Sequence, residues 1–153
     1  MTVPSHARAV IIGGGVVGCS IAYHLGKLGW RDVVLLERKQ LTCGTTWHAA
    51  GLIAQLRATQ NMTRLAKYSQ ELYFGLEAET GVATGFKRNG SITVALTDER
   101  MEELRRSAAM ARAFGVEIDE ISPSDIASRY PGLSVDDAVG GVWLPKDGQA
   151  DPV

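Results

Sequence analysis

Three groups of residues in this chain could do chemistry. The first is the glycine turn Gly13-x-Gly15-x-x-Gly18. In a dinucleotide fingerprint the first glycine permits a tight turn, the second lets the backbone approach a pyrophosphate, and the third lets a helix pack on its strand. Val16 and Val17 then fall in the first helical turn, where free N–H groups and the positive end of the helix dipole face the phosphates. The second group is Glu37, 19 residues after Gly18. A carboxylate at that distance can accept the hydroxyl hydrogens of an adenosine ribose and disfavours a 2′-phosphate, so NADP is not expected. The acid does not separate NAD from FAD. Arg38 beside it either covers the adenine face, meets a phosphate or stands in solvent.

The third group is "CGTTWHAAGL", Cys43 to Leu52, with one imidazole, His48. A plain NAD enzyme would continue after the second strand to another helix and strand. Here Gly44, Thr45, Thr46, Ala49, Ala50 and Gly51 surround Trp47 and His48 instead. Small residues let backbone amides and threonine hydroxyls meet a second length of pyrophosphate or a flavin ring. A neutral imidazole nitrogen is a nucleophile near pH 7.

These residues need elements to hold them. Ala9 to Ile12 is a β-branched run, predicted as a buried strand. Val16 to Leu28 has helical apolar spacing and Gly29 closes it. Asp32 to Glu37 is predicted as a second buried strand, completing a βαβ unit with a parallel strand pair. Arg38 to Thr59 is irregular. A helix is predicted over Asn61 to Thr80, with Met62, Leu65, Ala66, Leu72, Tyr73 and Leu76 sharing one face. Strands follow at Gly90 to Leu96, Val116 to Ile121 and Val139 to Leu144. A helix capped by Thr97 or Asp98 turns Met101, Leu104, Ala108 and Ala111 inward. Ser122-Pro123-Ser124-Asp125 starts another, and Asp147-Gly148 signals a turn.

Composition bounds the rest. The chain has 153 residues, 45% apolar and 22% charged, and a net charge of −1, which points away from nucleic acid and anionic membranes. Two cysteines, Cys19 and Cys43, make neither a disulfide framework nor a metal cluster, so a reducing compartment and no metal are expected. No signal peptide or membrane span is read. Asp151-Pro152 is a helix-start signal followed by one residue, and only two parallel strands precede the change of pattern. Both predict that the chain is the front part of a longer protein, with an incomplete fold.

The pieces "AVIIGGGVVGCSIAYHLGKLGWRDVVLLERKQLT", "GTTWHAAGL", "GSITVAL", "RYPGL" and "DGQADPV" together resemble the dimethylglycine dehydrogenase and sarcosine dehydrogenase family, within the glycine/D-amino-acid oxidase fold. The resemblance implies FAD as cofactor. It implies that His48, in its Trp-His-Ala-Ala-Gly setting, carries FAD covalently through the 8α-methyl group. Gly13, Gly15, Val16, Val17, Gly18, Glu37, Arg38 and the run Gly44 to Leu52 fall where that family contacts FAD. The fold class implied is α/β: a Rossmann-type βαβ unit (1–85), the start of an α+β substrate domain (86–146) and a return to the FAD domain (147–153).

The implied reaction is oxidative demethylation of a small N-methyl amino acid such as sarcosine or dimethylglycine. Electrons would pass to an electron-transfer flavoprotein or oxygen, and tetrahydrofolate is a further cofactor in longer members. The implied location is the cytoplasm, or the mitochondrial matrix in a eukaryote. No catalytic acid, base or substrate-binding residue is assigned. The rival readings are a non-catalytic relative resembling the regulatory subunit of pyruvate dehydrogenase phosphatase, an inactive remnant, and a split enzyme completed by a partner subunit.

Overall fold

A computed structural model describes residues 4–152, which form two compact units. One contains the described residues up to Ala50, together with Pro152; the other is Gly51–Asp151. The division falls within the stretch 1–85 that the sequence reading treats as one domain.

The first unit is the βαβ element. Strand β1 (Ala9–Ile12) leads through the glycine turn into helix α1 (Val16–Lys27), and β2 (Val33–Leu36) returns parallel to β1. The register runs from Ala9 opposite Val33 to Ile12 opposite Leu36. Helix α1 ends in a Schellman motif. Gly29 takes φ 81°, its N–H donates to the Gly26 carbonyl, and the Trp30 N–H reaches back to the Leu25 carbonyl. Both strands were expected to be buried, and here the structure differs. Of β1 only Ile11 is buried, and Ile12 is 87% exposed. Two strands with one helix cover one face of the sheet, which leaves the alternate side chains of each strand outside it.

The second unit is α+β. The short strand β3 (Leu52–Ile53) precedes α2 (Gln60–Thr80), whose cap Thr59 accepts from the Met62 N–H and whose stop Gly81 has φ 72°. Strands β4 (Ser91–Ala95), β5 (Asp119–Ile121) and β6 (Gly140–Leu144) form an antiparallel sheet in the order β4-β6-β5. Helix α3 (Asp98–Ala113) lies between β4 and β5 in sequence, and α4 (Pro123–Arg129) follows β5. Strand β7 (Gly148–Gln149) pairs with β3.

The core joins α3 to the sheet: Met101, Leu104, Ala108 and Ala111 pack with Ala95, Val116, Ile118, Val142 and Leu144. The inward face read for α3 is thus the observed one. Ser122 and Asp125 form a full capping box at α4.

Two readings need correction. The buried residues of α2 are Thr63 and Gln70, whereas Met62 and Leu65 are exposed. Ala66, Leu72, Tyr73 and Leu76 of the apolar face are half-buried, and Thr63 is buried with hydrogen-bond partners. The Thr63 hydroxyl accepts from the Arg57 N–H and donates to the Arg57 carbonyl, which ties the helix to the preceding loop. The turn signalled by Asp147-Gly148 sits two residues earlier, at 145–146. Asp147 itself is buried, because its carboxylate accepts from the Gln55 N–H at 2.9 Å and from the Ser91 hydroxyl at 2.7 Å.

Candidate cofactor site

The glycine turn connects β1 to α1 as the spacing requires. Gly13 takes φ 103°, a conformation open to glycine. Gly15 is the N-cap of α1, and Val16 and Val17 follow in its first turn, both exposed. Gly18 is buried where a Cβ would collide with the Gly13 carbonyl oxygen. The turn therefore forms a cradle that only glycines leave open, beside the exposed first turn of α1. Those are the features a pyrophosphate needs.

Glu37 lies just past β2. Its Oε2 accepts from the Gly14 N–H at 2.8 Å and its Oε1 from the Lys39 N–H at 3.0 Å. The two bonds fix the carboxylate beside the glycine turn, and each oxygen keeps a second lone pair for a ribose hydroxyl. The Gly14 N–H, then the Lys39 N–H, hold the carboxyl below the ordinary glutamate value. A lowered folded-state pKa adds stability above the unfolded value, about pH 4.3, and that stability is lost as pH falls through the folded pKa. The melting temperature of the wild-type chain is therefore expected to fall more steeply than that of Glu37→Gln between neutrality and about pH 3. Parallel slopes in thermal melts across that range would show that the two bonds do not hold in solution.

The segment after β2 folds back onto the same turn. The Thr42 N–H donates to the Gly14 carbonyl at 2.8 Å, and Thr42 does so with φ 65°. A β-branched residue in that region is strained, so tertiary contacts must hold it there. Gly44 and Thr45 lie in turns, and Thr46–His48 form a single 3-10 turn. The Thr46 hydroxyl accepts from the Val16 N–H at 3.0 Å, which brings the third candidate group onto the helix N-terminus of the first.

Trp47 is anchored by its indole N–H on the Cys43 carbonyl at 3.2 Å. Its ring stands 3.9 Å from the His48 imidazole, tilted by 35°. His48 is exposed, and its ring nitrogens make no hydrogen bond to the described residues. Ala49 is extended and Ala50 is the last residue of this run in the first unit. Arg38 is exposed.

Gly51 and Leu52 belong to the second unit, where Gly51 has φ 75°, its carbonyl accepts from the Ala150 N–H, and Leu52 starts β3. Leu52 also lines a cavity of about 220 Å³ with Arg57, Met62 and Leu65. Sequence periodicity puts Met62 and Leu65 on one helix face and gives no sign of this cavity. It also missed Gly14 and Thr42. Gly14 carries the contacts that join turn, acid and loop, and its only sequence signal is its place as the middle glycine of three.

Among the described residues no group of His, Cys, Asp and Glu could hold a metal ion. Cys19 and Cys43 are free thiols, and no described helix is long and apolar enough to cross a membrane.

The chain is similar to several known proteins. The chain is 43% identical over 97% of its length to mitochondrial sarcosine dehydrogenase of Mus musculus, covering 16% of that protein. It is 44% identical over 95% of its length to mitochondrial dimethylglycine dehydrogenase of Rattus norvegicus, covering 17% of that protein. The regulatory subunit of pyruvate dehydrogenase phosphatase from Mus musculus is 42% identical over 96% of the chain, with 17% of its own length covered. The chain thus spans about one sixth of the length of these curated relatives. Among solved structures, L-proline dehydrogenase from P. horikoshii superposes with a TM-score of 0.90 at 31% identity, over 98% of this chain and 39% of that one. Residues 8–153 match the family described as FAD dependent oxidoreductase, to which the chain therefore belongs.

Proposed function

We propose that the chain forms the adenosine- and pyrophosphate-binding front of an oxidoreductase that demethylates a small N-methyl amino acid of the sarcosine or dimethylglycine type. The carrying observation is Glu37, fixed by the Gly14 N–H beside a helix N-terminus that only glycines leave open. In this reading Glu37 binds the ribose and Arg38 lies over the adenine. Gly13, Gly15 and Gly18 admit the pyrophosphate against Val16 and Val17, with the Val17 N–H as donor while the Val16 N–H stays on the Thr46 hydroxyl. The run Gly44 to Leu52 follows the cofactor toward its flavin end, and His48 tethers it there.

Bound FAD supplies the acceptor for a hydride equivalent. The chain's own residues position it: the Thr46 hydroxyl sets the loop against α1, and Trp47 orients the imidazole by stacking. Residues 1–85 then serve the FAD-binding part, 86–146 open the substrate part, and 147–153 return to the first. Electron-transfer flavoprotein or oxygen as acceptor, tetrahydrofolate as one-carbon acceptor, and a matrix location in a eukaryote complete the proposal.

The likeness to the phosphatase regulatory subunit favours a second reading, a cofactor-binding module without turnover. Anaerobic addition of sarcosine or dimethylglycine to a polypeptide as long as these relatives separates the two. Bleaching of the flavin absorbance, with formaldehyde released on turnover, is the expected result. An unchanged oxidised spectrum with every N-methyl amino acid tried would leave the binding module as the function.

A further inference from the structure

One stretch of chain, Glu37 to Thr42, grips Gly14 at three points. Glu37 Oε2 accepts from the Gly14 N–H, Leu41 Cδ2 fills the space that a Cβ on Gly14 would take, and the Thr42 N–H donates to the Gly14 carbonyl. The chain bends back on itself to make the first contact and the last, and Thr42 completes the bend with φ 65°. Glycines apart, it is the one residue with positive φ among those described. A side chain branched at Cβ is poorly suited to that region, where glycine, asparagine and aspartate are the usual occupants. The Thr42 hydroxyl makes no hydrogen bond to the described residues, so the side chain offers nothing to offset the strain. What Thr42 contributes is the direction of its backbone.

That direction has two consequences downstream. The carbonyl of the next residue, Cys43, accepts from the Trp47 indole N–H at 3.2 Å, and the Trp47 ring stands 3.9 Å from the His48 imidazole. Further along, the Thr46 hydroxyl accepts from the Val16 N–H at 3.0 Å. Val16 is the first residue of α1, so its N–H has no partner inside the helix and depends on the loop. Turning Thr42 to a negative φ re-aims every atom that follows it. The Cys43 carbonyl and the Thr46 hydroxyl would then leave their partners together. Strain of this kind persists where the surroundings over-determine it, and it gathers at functional sites.

We propose that Thr42 is a positioning residue for the imidazole that attaches the flavin. Its left-handed backbone aims the Cys43 carbonyl at Trp47, Trp47 holds the His48 ring, and Thr46 docks the loop on the start of α1. The role toward His48 rests on the tether reading above; the docking on Val16 does not.

Amide hydrogen exchange of the ¹⁵N-labelled full chain tests the docking without any cofactor. Thr42→Pro fixes φ near −65° and removes the N–H given to Gly14, so the Val16 amide should exchange about tenfold faster or more. Thr42→Asn favours the left-handed region without threatening the fold, and should slow Val16 exchange about threefold. The Gly13 N–H, which donates to the Leu36 carbonyl at 2.8 Å, should keep its rate in both. Val16 exchange unchanged in Thr42→Asn, or Val16 and Gly13 rates that move together, would make Thr42 a residue of general stability and overturn the proposal.

Covalent attachment is read in a polypeptide as long as the relatives, at saturating FAD. Retained flavin should appear about tenfold more slowly or worse in Thr42→Pro, and no more slowly than wild type in Thr42→Asn. Noncovalent FAD affinity should stay the same in both, because Glu37 and the glycine turn are untouched. Equal attachment rates beside the expected exchange rates would overturn the role toward His48. No retained flavin even in wild type would sink the tether reading instead, with the exchange rates still deciding whether Thr42 docks the loop.

Discussion

Gly18→Ala is expected to abolish FAD binding by the first unit and to lower its stability by about 3 kcal/mol or more. The added methyl would lie on the Gly13 carbonyl oxygen, with the Gly13 carbonyl carbon at 3.1 Å and Ile11 Cγ2 at 3.4 Å. The oxygen belongs to backbone, so no side chain can swing aside. Gly13 is itself held at φ 103°, and its N–H is tied to the Leu36 carbonyl at 2.8 Å. Relief must come from moving α1 away from β1, which removes the helix N-terminus from the turn it completes. Stability and cofactor binding should fail together.

Gly26→Ala in the same helix is the control. A Cβ there meets nothing within 4 Å, so the change should stabilise by about 0.5–1 kcal/mol. Thermal melts of both variants with and without FAD check the pair. A Gly18→Ala chain that melts within about two degrees of wild type and still gains from FAD would show that the packing between Gly13 and Gly18 is not what holds the cradle.

The parts of the fold that were legible beforehand are those set by local chemistry. The strand–glycine–helix order, the stop at Gly29, the cap at Thr97 and the capping box at Ser122 each depend on residues within a few positions of one another. Burial was less legible because it depends on what else is present. Ile12 and Val10 have the apolar side chains of an interior strand, yet a two-stranded sheet with one helix leaves them out. Thr63 and Gln70 have polar side chains and are the buried residues of α2: Arg57 pairs with the Thr63 hydroxyl, and Gln55 donates to the Gln70 Oε1. No periodicity of hydrophobic residues finds such positions.

The site divides in the same way. The spacing of Gly18 and Glu37 singles out the acid as a candidate, but its grip on Gly14 crosses 23 residues and appears only in the folded chain. The contact between Thr46 and Val16 crosses 30 residues. Thr42 in a left-handed conformation runs against its own local preference, so tertiary structure alone reveals it.

The tether proposed for His48 carries the sharpest expectation. Flavin retained through denaturation, seen as fluorescence that travels with the polypeptide on a denaturing gel, should vanish completely in His48→Ala and persist in His24→Ala. The two imidazoles differ in their surroundings. His24 Nδ1 engages the Ser20 carbonyl at 2.7 Å within α1, whereas the exposed His48 ring lies against Trp47 and makes no hydrogen bond among the described residues. The Ser20 bond uses the His24 N–H and leaves its other nitrogen's lone pair intact, so place separates the two rings: His24 sits in the last turn of α1, and His48 in the loop that reaches the first.

Trp47 acts by position, so Trp47→Ala should slow the appearance of retained flavin without eliminating it. Trp47→Phe keeps a ring for stacking while removing the indole bond to Cys43, and should fall between the two. Noncovalent FAD should still bind to His48→Ala through Glu37 and the glycine turn, because neither contains the imidazole. That separation makes the result decisive. Flavin retained after denaturation in His48→Ala would sink the tether and leave the adenosine site standing, while loss of noncovalent flavin as well would mean that the loop shapes the cradle itself.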